Sequence, residues 1–88
     1  MPDAIDFAAE KWLFFTESLV FKPEVSLRYR LRSFAIPAKQ GLQNNFAALK
    51  SAPDALLFMV VAMGVWKSGT HSREEVETAL GAQLPDLL

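Results

Sequence analysis

His71 is the only histidine in the chain, and it lies in the stretch SGTHS, next to Ser72 and just ahead of Glu74, Glu75 and Glu77. An imidazole beside a hydroxyl is the raw material of a nucleophile with its general base, and clustered carboxylates are the raw material of acid-base work. Neither set is complete. A nucleophile needs a base oriented toward it, whereas Ser72 followed three residues later by Glu75 has the spacing of a capping box that closes the first turn of a helix. The glutamates then sit at the positive end of that helix, where carboxylates are favoured and stay solvated. A single imidazole in a chain without cysteine is a poor start for a zinc or transition-metal site. Gly41, Gly64, Gly69 and Gly81 are too scattered to form a phosphate-cradling loop. The sequence therefore assigns no catalytic, cofactor-binding or metal-binding residue, and the expectation is a non-enzymatic protein with no cofactor.

The other available chemistry is anion contact. Residues 22 to 39 hold five basic residues and one acid, in a chain whose net charge is −1. Within them, EVSLRYRLRSF places Arg28, Arg30 and Arg32 at alternate positions, which makes them the candidate anion contacts. As a strand, this stretch puts Val25, Leu27, Tyr29 and Leu31 on one side and the arginines on the other. The alternation breaks at Ser33, Phe34 and Ile36. As a helix, Leu27, Leu31, Phe34 and Ala35 form one apolar stripe, and Val25, Tyr29 and Ile36 lie opposite among Arg28 and Arg32. On a helix the arginines spread over a wide arc, to be solvated or paired with the acids of the first helix.

The two conformations lead to different proteins. A strand at residues 25 to 32 has no partner within the chain and would have to pair with a second copy. Followed by helices at 37 to 50 and 54 to 67, it resembles in element order the ribbon-helix-helix DNA-binding dimers, and that resemblance implies strand side chains entering the major groove. The helical reading is preferred. Pro23 and Glu24 suit a helix start, and Pro37 disfavours helical backbone at Ile36, so residues 23 to 36 read as one bounded helix. The small basic total also ranks nucleic acid below a protein partner.

The remaining elements follow from periodicity. Residues 4 to 21 read as a first helix, with Ile5, Ala8, Ala9, Trp12, Phe15, Leu19 and Val20 facing a core and Asp3 as N-cap. On another side of it Phe7, Phe14 and Phe21 recur every seven residues, the spacing a helix shows when it lies along a neighbour. They are the candidate interface. A piece from 37 to 50 lines up Ala38, Leu42, Phe46 and Leu49, with Gly41 and Asn44–Asn45 weakening its first half to loop. Residues 54 to 67 form a helix that is apolar all round and must be surrounded. The last helix, 73 to 82, turns Val76, Ala79, Leu80 and Leu84 inward and stops at Gly81 and Pro85.

Together these give an all-α fold, a single domain over residues 1 to 88 made of four to five short helices. Hydrophobic residues make up 51% of an 88-residue chain, more apolar side chain than so small a domain easily hides. The expected function is thus protein–protein interaction or oligomerisation: a homodimer, or a subunit docked on another protein, with the small DNA-binding dimer as the alternative. The longest apolar run, residues 55 to 66, is far short of the roughly 20 residues a membrane helix needs. With an acidic N-terminal stretch unlike a leader, a cytoplasmic protein without membrane contact is expected.

Overall fold

A computed structural model describes residues 2–18 and 24–86. It is all-helical: α1 is Pro2–Ser18, α2 is Leu27–Asn45, a 3-10 turn spans Ala47–Leu49, α3 is Asp54–Lys67 and α4 is Arg73–Leu80. No strand occurs among the described residues, which overturns the alternative of a ribbon at residues 25 to 32. A helix satisfies its own backbone groups, whereas a lone strand would have left a row of them unpaired. The expected stripe is observed, with Leu31 and Phe34 buried, Leu27 and Ala35 half-buried, and Tyr29 and Ile36 exposed.

The bounds of α2 differ from expectation at both ends. It starts at Leu27 rather than near Pro23, because Ser26 is the N-cap and its hydroxyl accepts a hydrogen bond from the Tyr29 N–H at 3.2 Å. Pro23 lies outside the described residues. At the other end, Pro37 is inside the helix instead of ending it, and residues 37 to 45 continue α2 rather than opening a separate piece with loop before Leu42. Proline denies the Ser33 carbonyl its usual partner four residues on. Both Ser33 and Pro37 are exposed, so water reaches that carbonyl, while Phe34, Ala38 and Leu42 continue the buried stripe across the break. Core burial outweighs the local preference of proline.

α1 begins one residue before Asp3, which therefore lies in the first turn and is not the N-cap. Its buried face is the expected one, Ile5, Ala8, Ala9 and Trp12. Leu19 and Val20, expected to extend that face, lie outside the described residues. α3 has the predicted bounds, and Gly69 follows it in a left-handed conformation with φ +80°. α4 ends two residues earlier than expected, at Gly81 with φ +78°, where only glycine is unstrained. Val76 and Leu84 are buried as expected.

α3 is the centre of the bundle. Leu57 and every residue from Val60 to Val65 are buried, and α1, α2 and α4 all pack on it. Its apolar circumference is mostly covered within one chain, with Leu56 at 41% exposure the main exception. The packing depends on Gly64. A Cβ there would stand 2.4 Å from the Ala8 Cβ and 2.9 Å from backbone atoms of Ala8 and Ala9, so α1 and α3 touch almost backbone to backbone. Outside this contact Lys67 forms an ion pair with Asp6.

Two glycine substitutions should behave oppositely. Gly64→Ala must push α1 off α3 and is expected to cost about 2 to 3 kcal/mol, a fall in Tm on the order of 10 °C. Gly41→Ala places its Cβ 3.5 Å from the Phe7 ring, an ordinary contact, and is expected to stabilise by about 0.5 to 1 kcal/mol through helix propensity. Thermal denaturation of the two variants checks both signs.

Candidate functional site

The residues with chemical potential around His71 are engaged in holding the fold. Trp12 is fully buried, and its indole N–H donates to the Thr70 hydroxyl at 2.8 Å, which satisfies a donor that would be costly to bury alone. The Ser68 hydroxyl donates to the Val65 carbonyl at 2.6 Å and lies 3.0 Å from that of Thr70. The His71 ring stands 6.0 Å from the Trp12 ring, with its Nδ1 3.6 Å from a Glu75 carboxylate oxygen. The Ser72 hydroxyl accepts from the Glu75 N–H at 3.1 Å while the Glu75 side chain accepts from the Ser72 N–H at 3.3 Å, the capping box read from the sequence. The imidazole is thus turned to Trp12 and Glu75, and the neighbouring hydroxyl is committed to the helix start.

Glu75 is held below the usual carboxylate range, first by its bond from the Ser72 backbone N–H, then by the Ser72 hydroxyl and the His71 ring. At the same end of α4, its first residue Arg73 donates to Glu77 at 3.2 Å and to Asp86 at 2.8 Å, and also to the Leu84 carbonyl. Its guanidinium stands 5.2 Å from the Trp66 ring. The Asp86 hydrogen bond, with help from Glu77, pushes the Arg73 pKa up against an opposing desolvation. These groups strap residues 82 to 86 back over α4, and Leu84 closes the core beneath them.

The three arginines do not form one patch. Arg28 and Arg32, four apart on α2, share an exposed face. Arg30 points the other way, half-buried, with its guanidinium 5.5 Å from the Trp12 ring, and burial lowers its pKa. Among the described residues no ion pair joins Arg28 or Arg32 to an acid of α1: Asp6 is taken by Lys67, and the Lys39–Asp54 bridge of 2.7 Å links α2 to α3. Among the described residues no group of three histidines, cysteines or acids is placed to hold a metal ion, and no helix is long and apolar enough to cross a membrane.

The phenylalanine ridge leads to the most distinctive surface. α1 and α2 run antiparallel, since Phe7 meets Phe46 at 5.7 Å while Trp12 and Phe15 both meet Phe34, at 5.3 and 5.2 Å. Between them opens a groove of about 460 Å3, lined by Phe7, Phe14, Phe15, Phe34, Pro37 and Gly41 with Lys11 at its edge. Phe7 is half-buried in the wall, and Phe14 stands out at 68% exposure. Phe21 lies outside the described residues. The seven-residue spacing marks Phe7 and Phe14 but gives no sign of Pro37 and Gly41, because a proline in sequence reads as the end of a helix. On the far flank of α2, Tyr29 and Ile36 are also exposed, at 65% and 77%.

No family model, curated protein or solved structure matches the chain.

The α4 cap gives a pH test. Ser72→Ala is expected to cost about 1 kcal/mol near neutral pH. Because the folded pKa of Glu75 is depressed, its contribution is fully present above the ordinary glutamate range and is lost as pH falls through the lowered folded value. Urea unfolding of wild type and Glu75→Gln across that range should give curves that converge in acid; a gap that widens there contradicts this assignment.

Proposed function

We propose that the protein is a non-enzymatic interaction domain that docks on protein through the outer face of α1 and α2. The observation that carries this reading is Phe14. A phenylalanine at 68% exposure, beside an apolar groove that reaches down to Phe34 of the core, is surface that water disfavours and a partner would cover. Grooves of this shape between antiparallel helices receive apolar side chains from another helix. The groove is floored by residues that already pack the core, so binding would require little reordering of the receptor face.

The surroundings support docking over chemistry. The Thr70 hydroxyl is engaged by the Trp12 indole, Ser72 and Glu75 by the capping box, and Glu77 by the Arg73 strap. Among the described residues the only charged side chain lining the α1–α2 groove is Lys11, and a wall of phenyl rings offers no acid or base to a substrate.

Site-specific photo-cross-linking in living cells tests this reading. A photoreactive phenylalanine analogue replacing Phe14 is expected to yield an adduct of discrete mass, and the same analogue replacing the exposed Glu74, on α4, is expected to yield none. Equal, diffuse labelling at both positions would remove the α1–α2 face as an interface.

A further inference from the structure

The distribution of charge on this face points to its occupant, and we propose that it is a second copy of the chain. The inference rests on the α1–α2 face being an interface. In the dimer, a two-fold axis runs parallel to the groove and lays α1 of each copy antiparallel along α2 of the other.

Glu10 and Glu17 lie on the flank of α1 turned away from the groove, to either side of Phe14 along the helix. Arg32 is exposed on the opposite outer flank, that of α2, together with Tyr29 and Ile36. Among the described residues Glu10, Glu17 and Arg32 have no ion-pair partner, although Asp6 and Lys39 close by are both paired. One edge of the face is therefore acidic and the other is basic and apolar.

Phe34 sits level with residues 12 to 15 of α1, as its ring contacts with Trp12 and Phe15 require. Because the helices are antiparallel, Arg32, two residues earlier on α2, lies about 3 Å further toward the C-terminal end of α1, close to the level of Glu17. A two-fold axis along the groove preserves these levels and exchanges the two flanks. It brings Glu17 of one copy to the partner's Arg32, twice per dimer, and sets Phe14 against the partner's Ser33 and Pro37 beside the groove. An axis across the groove would instead stack α1 on α1, with Glu10 facing the partner's Glu17 and basic edge facing basic edge. Like charges so placed are repulsive, so electrostatics selects the first arrangement. Two helices side by side offer a face roughly 25 Å by 20 Å, which is at the lower end of the area a stable, self-complementary contact needs.

Light scattering across a hundredfold dilution, with helicity followed by circular dichroism, tests the dimer. Wild type is expected at twice the 9.8 kDa chain mass, and Phe14→Glu at one chain mass with unchanged helicity. Glu17→Arg or Arg32→Glu alone is expected to weaken association at least about tenfold, and the two reversals together to restore most of it. A single-chain mass for wild type at high micromolar concentration overturns the proposal, as does a double reversal no tighter than either single one. If wild type is monomeric and residue 14 still cross-links discretely to a protein of different mass, the second copy is excluded and the docking face stands. If residue 14 cross-links to nothing, both fall.

Discussion

The buried indole of Trp12 is the constraint around which the rest of the protein is organised. It is the largest of the fully buried side chains, and it carries one donor that must find an acceptor. Phe15 and Phe34 pack beside its ring, the Arg30 guanidinium and His71 approach it, and Thr70 accepts its N–H. Two helices and a loop are thereby tied to one side chain. The loop has to arrive with the right atom, and its conformation follows from that need: Gly69 takes the left-handed turn after α3, Thr70 reaches the indole, and Ser72 caps α4 immediately afterwards. The short SGTHS segment thus performs three structural tasks in five residues.

Much of this was legible in the sequence because it is written in local signals. The bounds of α3 follow from Pro53, Asp54, Lys67 and Gly69; the start of α4 follows from Ser72 and Glu75; the core face of α1 follows from its helical period. The misreading at Pro37 shows where local signals fail. Proline disfavours helix by removing one hydrogen bond and crowding one turn, whereas the stripe of Leu31, Phe34, Ala38 and Leu42 spans the break and buries four side chains. That stripe has meaning only against α1 and α3, which a one-dimensional reading cannot place. The start of α2 is set by a local signal instead, the short Ser26 hydroxyl that accepts from the Tyr29 N–H as an N-cap.

The candidate surface was legible in part. The seven-residue recurrence marked Phe7 and Phe14 as lying together, but it could not say that one would be built into the wall and the other left standing in solvent. That difference comes from Phe46 and Gly41, which close over Phe7 and leave Phe14 uncovered. The alternation of Arg28, Arg30 and Arg32 was equally visible and carried less than it promised. Alternation groups side chains only on a strand; on a helix the middle residue turns away, here onto an aromatic ring.

The close approach of α3 to α1 at Gly64 has a mechanical consequence. Two helices that meet with only the Ala8 methyl between them have little room to slide or roll, because any shift drives the Gly64 backbone against that methyl or the Ala8–Ala9 backbone. α1 is thereby held as a stiff beam, and Phe14 stands on the side of that beam facing solvent. An exposed aromatic ring on a mobile segment would lose freedom whenever something settled on it. Mounted here, it has already lost that freedom in folding, and the cost of immobility is carried by the Gly64 contact on the opposite side of the helix.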